Sequence, residues 1–485
     1  MSVDLWFGLL AAVLTVAALI SGLVDRAPVS FPMIFLGIGF LIGPLGLKLL
    51  PADQHSPILT GVATISLALV LFLDAARFDA EELRRDWRVP LLALGPGTLL
   101  VIAGVTLAAR LLLSTTWLDS LLLGGVLASV DPIVLRDVVR HERIPRSVRR
   151  ALTIEAGTND IVVLPVVLVV IAVSEAATGG FGYWLGFLAE LVVLSPLVGL
   201  VVGGVGAWLM GKADARYNIR REFQALYGLG LVLASYTAGQ VVGGDGFIAA
   251  FFAGLAVALF DVTLCDCFME YGEVTAEMVM LLAFMLFGAV ISGLLGTIPV
   301  LAALALGGLE IIVIRPLAVG IVLARAQMSL AARAFMGWFG PRGLSALLLA
   351  LLAVEAGMSG ATRLLAIAGV VVALSVVVHG VTATPLSEWY GRRVEHARST
   401  PAEEREGTAE GLFEPDADDL PRVSPADLHA MIAADHAPII LDVRARAQHD
   451  LATGQIPGSV RVLPDRIHEW AAHADRTRPI ITYCT

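Results

Sequence analysis

The stretch LLLGGVLASVDPIVLRDVV, residues 121–139, decides the fold. An apolar run of this length crosses about 30 Å of hydrocarbon as a helix, yet it carries Asp131 and Pro132 in its middle. A proline inside a helix has no N–H to give and clashes with the carbonyl four residues back, here that of Ala128. The helix is therefore expected to loosen at Asp131–Pro132, leaving carbonyls free beside a carboxylate. That is the ligand set a dehydrated monovalent cation needs, and interrupted helices are where transporters place such sites.

The rest of the chain agrees with a membrane setting. Of 485 residues, 57% are hydrophobic and 16% charged, against about 25% charged in a soluble domain. From Leu5 to about Pro385 apolar runs follow one another, and after Ser387 the composition becomes that of a soluble protein. Thirteen spans are predicted, near 4–24, 29–48, 58–76, 89–112, 117–138, 150–173, 183–210, 222–240, 244–260, 275–293, 297–323, 333–353 and 362–385. The first lacks the basic start of a cleaved signal and is long for one, so it reads as a span. The expected fold is an all-α polytopic membrane protein with a small, partial α/β domain behind it. The expected divisions are a transmembrane exchange domain over 1–390, an acidic linker over 391–422 and a soluble piece over 423–485.

Orientation follows from the loop cations. One alternate set of loops holds Arg26, Arg77 to Arg88, Arg136 to Arg150, Lys212 to Arg221, and Arg325 with Arg333; the other holds only Lys48, Arg110 and Arg363. The first set is expected to face the cytoplasm, with the N-terminus outside, the tail inside, and the protein in the cell (inner) membrane. The net charge of −10 comes with no basic stripe for nucleic acid. Cys265 and Cys267 are too close to bridge and too few to hold a metal. No GxxxxGK[ST] loop is present, so transport is expected to run on ion gradients, with no cofactor and no metal beyond the transported cation.

Ionisable groups inside apolar runs cost roughly 2.5–3.5 kcal/mol or more each and mark functional positions. They are Asp131, Glu155, Asp160, Glu310, Arg315 and Arg342. Asp74, Glu190, Asp245, Glu355 and His379 fall nearer predicted span ends and are expected to be solvated or interfacial. Asp160 lies in ALTIEAGTNDIVVLPVVLVV, residues 151–170, among valines and leucines. Desolvation there disfavours the charged form, so one carboxylate can hold a proton or a cation but not both. Arg315 cannot deprotonate and needs a buried partner, with Glu155 and Glu310 as the choices. In GWFGPRGLSALLLALLA, residues 337–353, the Gly-Pro-Arg-Gly run is expected to interrupt a span and set Arg342 at the break.

At these residues residues 1–390 resemble the monovalent cation:proton antiporter-1 family, the bacterial sodium/proton exchangers. The resemblance rests on ASVDP (128–132), EAGTND (155–160), VVGGDGFIAAFFAGLAVA (241–258), and IRP (314–316) with WFGPRGLSALLLAL (338–351), in that order. It implies inverted repeats with broken helices at the midplane, a mobile core and a homodimer. It further implies that Asp160 carries ion and proton, that Asp131 assists, that Asn159 orients the site, and that Glu155 pairs with Arg315. Asparagine at 159 resembles the electroneutral branch, one cation for one proton. The expected substrates are Na+, or else Li+ or K+, and H+, in contact with membrane lipid. Two positions depart from the pattern: Val130 and Ala156 stand where the family often has hydroxyls. Ser129, Thr153 or Thr158 could supply them, and the departure leaves K+ open beside Na+.

The tail resembles a rhodanese domain through LDVRARAQHDLATGQIPGSVRVLP (441–464) and the strand leading to Cys484. SPADLHAMIAA (424–434) reads as a helix capped by Ser424, with APIILDVR (437–444) and RPIITYC (478–484) as buried strands. With Thr485 the last residue, the loop that would activate Cys484 is not in this sequence, and no sulfurtransferase activity is expected.

Overall fold

A computed structural model describes residues 29–77 except 52, then 92–139, 141, 144–175, 180–260, 262–325, 328–395, 423–432, 438–443, 455–462, 470–471 and 478–483, with scattered positions before 29. The chain divides into two compact units, Met1–Thr408 and Ala409–Thr485.

The first unit is helical. Among the described residues seven helices are long and apolar enough to cross a membrane, and Phe31–Ile42, Trp117–Ala128, Gly246–Phe260 and Leu344–Glu355 are shorter apolar helices. Each predicted span from 29 onward coincides with helix, whereas most of 4–24 lies outside the described residues. The last helix runs on to Glu395, past the expected boundary at 390.

In chain order the helices that matter below are α1 (Phe31–Ile42), α2 (Pro57–Ala76), α3 (Thr98–Leu113), α4 (Trp117–Ala128), α5 (Pro132–Val139), α6 (Arg146–Thr158), α7 (Asp160–Glu175), α8 (Ser195–Tyr217), α9 (Arg221–Val241), α10 (Gly246–Phe260), α11 (Val262–Leu294), α12 (Val300–Leu309), α13 (Arg315–Val322), α14 (Leu330–Trp338), α15 (Leu344–Glu355) and α16 (Ala361–Glu395). Among the described residues three π turns interrupt the regular helices, at Ala93–Gly97, Glu190–Leu194 and Glu310–Ile314. Each lies at a proline, Pro96, Pro196 or Pro316. A proline without an N–H breaks the regular ladder, and a wider turn lets the stranded carbonyls find other donors. Ser195 completes one such repair, its hydroxyl donating to Glu190 O at 2.7 Å.

Lipid tails are as apolar as leucine, so helices in a membrane associate by close packing of small residues. Gly199 and Gly203 of α8 face the backbone of Ala249 and Ala253 on α10; Gly254 of α10 faces Phe72 O on α2; Gly39 of α1 faces Met285 on α11. These contacts lay α8, α10, α2, α11 and α1 against one another. α3, α7, α15 and α16 gather around α4, where Gly124 meets Ile102 O and Thr106 of α3.

In the second unit a helix, Pro425–Ile432, starts at Ser424, whose Oγ accepts from Asp427 N at 3.1 Å. Three parallel strands, β1 (Ile439–Asp442), β2 (Val460–Arg461) and β3 (Ile480–Tyr483), lie in the order β2–β1–β3. Tyr483 Oη donates to buried Asp442 Oδ2 at 3.0 Å, tying β3 to β1.

A Cβ added at Gly203 would lie 2.4 Å from Ala253 O, whereas at Gly230 it meets nothing within 4 Å. Gly203→Ala should therefore destabilise the detergent-purified protein by about 1–3 kcal/mol, and Gly230→Ala should not, as read from thermal unfolding. Equal midpoints would contradict the packing.

Candidate functional site

The site lies where two interrupted helices meet. α4 stops at Ala128, Ser129 is extended with ψ 134°, and α5 begins at Pro132. α14 stops at Trp338 and α15 begins at Leu344. The two non-helical segments bind each other through the backbone, Asp131 N donating to Pro341 O at 2.9 Å.

Each break leaves helix ends that carry partial charge, negative at a C-terminus and positive at an N-terminus. The chain answers each with a full charge from the other segment. Arg342 Nη1 donates to Ala128 O and Ser129 O, both at 3.0 Å, at the end of α4. Asp131 Oδ2 accepts from Leu344 N at 2.7 Å, at the start of α15. Asp131 and Arg342 are fully buried. Gly343 permits the crossing, since a Cβ there would lie 1.9 Å from Asp131 Oδ2.

Two ion pairs surround the crossing. Arg342 Nε donates to Glu310 Oε1 at 2.8 Å, and Nη2 donates to the same oxygen. Arg315 Nη2 lies 2.8 Å from Glu155 Oε1 and 3.2 Å from Phe339 O, so it binds both the carboxylate and the end of α14. The pairing left open by the sequence is thus settled: Glu155 meets Arg315, and Glu310 meets Arg342. The second pair was not anticipated. Arg342 N also donates to Ser375 Oγ at 2.7 Å.

Asp160 opens α7 and is 4% exposed. Ser129 Oγ donates to its Oδ1 at 2.6 Å, so the carboxylate sits directly on the break in α4. The Ser345 hydroxyl, in the first turn of α15, is close enough to act on the same carboxylate and carries no signal in the sequence. Asn159 Nδ2 donates to Thr98 Oγ1 at 2.9 Å, while its buried Oδ1 has no donor among the described residues. Thr158 is not brought to the carboxylate: its hydroxyl donates to Ile154 O on its own helix. Thr153 is exposed and likewise donates to Arg149 O at 3.0 Å.

Two residues expected near water are buried. Asp74 is 5% exposed, packed against Gly157 of α6, and His379 is 1% exposed with Nε2 2.9 Å from Trp338 O. Both lie near helix ends in sequence, but neighbouring helices cover them. The side chains of Cys265 and Cys267, and all of Cys484, lie outside the described residues.

Interrupted helices that cross, with buried charges at the crossing, define a multi-pass membrane protein of the secondary-transporter class. The chain belongs to the sodium/hydrogen exchanger family, matching its transmembrane domain over residues 11–389. Residues 424–485 match the rhodanese-like domain. The chain is 27% identical over 394 residues to the K(+)/H(+) antiporter NhaP of Alkalimonas amylolytica, covering 79% of this chain and 66% of the relative. It is 27% identical over 391 residues to the K(+)/H(+) antiporter NhaP2 of Shewanella baltica, covering 78% and 66%. It therefore spans about two-thirds of the length of these relatives. The fold matches that of the sodium proton antiporter MjNhaP1 from Methanocaldococcus jannaschii with a TM-score of 0.67 and 20% identity, over 81% of this chain and 98% of that one.

Removing Arg342 would strand Glu310 in the core. Arg342→Met should destabilise by about 3–5 kcal/mol, and Glu310→Met with Arg342→Met should recover a large part of the loss, as read from thermal unfolding. A double variant no more stable than the single one would contradict the pairing.

Proposed function

We propose that this chain is a secondary antiporter that exchanges a monovalent cation for H+ across the membrane, with proton and cation competing for Asp160. The observation that carries the reading is the company Asp160 keeps. Glu155, Glu310, Arg315 and Arg342 are occupied in ion pairs, and Asp131 takes the start of α15. Asp160 instead meets hydroxyls, those of Ser129 and Ser345. A hydroxyl donates to a carboxylate and, on rotating, accepts from a carboxylic acid. The two serines therefore suit Asp160 in both protonation states.

For the cation, Asp160 and the undonated Oδ1 of Asn159, at the start of α7, and Ser129, at the break in α4, supply oxygens. Asp131 and Pro132 act by holding the break open and the crossing fixed. Arg342 and the Glu155–Arg315 pair hold the surrounding core. Thr158 gains no support as a ligand, its hydroxyl being spent on its own helix. The family description favours Na+, and the two relatives named as K(+)/H(+) antiporters favour K+. Exchange is electroneutral in this reading, with Asn159 in place of a second acid. In this reading the protein sits in the inner membrane as a homodimer, with N-terminus outside and tail inside, an orientation that the distribution of loop arginines supports. It is a transporter and not an enzyme, and the rhodanese-like segment takes no part in exchange.

The test is reconstitution in proteoliposomes holding a pH-sensitive dye, with Na+, Li+ and K+ added in turn. Cation-dependent proton movement is expected for the native chain and should fall at least about 100-fold in Asp160→Asn, which cannot exchange a proton. Movement that persists in the variant would shift the site to Asp131 or Glu155, and no movement with any cation from folded protein would overturn antiport.

A further inference from the structure

Arg77 stands at the end of α2, its backbone N–H bonded to Leu73 O and Ala75 O. Its guanidinium spans two acids. Nη1 lies 3.2 Å from Asp74 Oδ1, and Nη2 lies 3.1 Å from Glu273 Oε1 on α11. The two acids differ in their surroundings. The Asp74 side chain is 4% exposed and that of Glu273 37%. A Cβ at Gly157 would lie 3.6 Å from Asp74 Oδ1, so Asp74 touches α6 one turn before Asp160. The charges of Asp160 and Asp131 are close enough to act on Asp74. Arg77 thus reaches from a partly solvated acid to a buried acid that feels the candidate ion site.

We propose that Arg77 is a tethered competitor of the transported cation: its guanidinium, shared between Asp74 and Glu273, sets the affinity with which the Asp160 site takes a cation. This rests on the exchange reading above. A guanidinium on Asp74 neutralises a carboxylate beside the site and opposes the approach of a second positive charge. Its transfer to Glu273 uncovers Asp74 and makes the site more attractive to a cation. The planar fork of arginine suits this role, since it can bind two carboxylates at once and cannot be deprotonated. Glu273 acts through Arg77 and not by touching the site. α2 and α11 belong to the same packed group of helices, so the exchange of partners needs only side-chain movement. It needs no shift of the helices.

The double-mutant cycle of Arg77→Gln, Glu273→Gln and both together isolates the shared guanidinium. The readout is the half-saturating concentration of Na+ and of K+ in proteoliposome exchange by the full chain. Arg77→Gln should lower it about 5- to 10-fold, the scale of one partly buried charge acting over a few ångström. Glu273→Gln should raise it about 3- to 5-fold, because Arg77 then rests wholly on Asp74. The double variant should match Arg77→Gln alone. An unchanged half-saturation in Arg77→Gln, or effects that simply add in the double variant, would overturn the proposal while leaving antiport intact. Should Arg77→Gln fail to fold, Glu273→Gln still decides: an unchanged or lowered half-saturation overturns the proposal. Absence of exchange in the native chain would instead overturn the antiport reading and this proposal with it.

Discussion

Everything around the candidate site depends on two helix ends that should not exist inside a membrane. Interrupting α4 and α14–α15 strands carbonyls and N–H groups where no bulk water can serve them, a penalty of several kcal/mol for each group. The chain meets it by crossing the two gaps, so that each supplies the charge the other lacks. Arg342 serves the carbonyls of Ala128 and Ser129, and Asp131 serves the N–H of Leu344. Neither gap could close alone. Glycine at 343 follows from the same requirement, because the Asp131 carboxylate occupies the space a Cβ would take.

A crossing held by full charges needs those charges fixed, and the surrounding pairs do that. Glu310 orients Arg342 through two of its nitrogens, and Glu155 orients Arg315 against the end of α14. Burying ion pairs is weak evidence for stability, but breaking one is costly. Such pairs are suited to holding a geometry and poorly suited to changing protonation. Asp160 differs because its partners are neutral hydroxyls carried on the two crossing segments. It touches the break in α4 through Ser129 and the start of α15 through Ser345. In the exchange reading proposed above, a change in what Asp160 holds would therefore be felt by both broken helices at once, linking occupancy of the site to the arrangement of the core.

Much of this was legible in the sequence. Pro132 and the Gly-Pro-Arg-Gly run marked both breaks because the chemistry of proline and glycine is local. The Ser424 cap and the strands within 437–444 and 478–484 were legible for the same reason, but Ile480–Tyr483 is partly exposed rather than buried, and the short strand Val460–Arg461 was not read. Partners across the fold were not. Arg315 could have met Glu155 or Glu310, and only the three-dimensional packing assigns the first to it and the second to Arg342. Ser345 carried no signal, since a serine one position into an apolar helix looks like any other small residue. Asp74 and His379 were misplaced because nearness to a span end says nothing about which neighbouring helix covers the side chain. Thr158 was a reasonable ligand by position, but a threonine inside a helix can spend its hydroxyl on the carbonyl four residues back, as it does here.

In the proposed mechanism one carboxylate, Asp160, holds either a proton or a cation. This is tested most directly by measuring the half-saturating cation concentration for exchange as a function of pH, at fixed ionic strength. Competition at Asp160 predicts that this concentration climbs as pH falls, approaching about tenfold per unit once the carboxylate is mostly protonated, the slope for one linked proton. The maximal rate at saturating cation should be recovered at each pH. A half-saturation that stays flat across that range, while exchange still slows on acidification, would mean that proton and cation bind at separate sites, and would contradict the role given to Asp160.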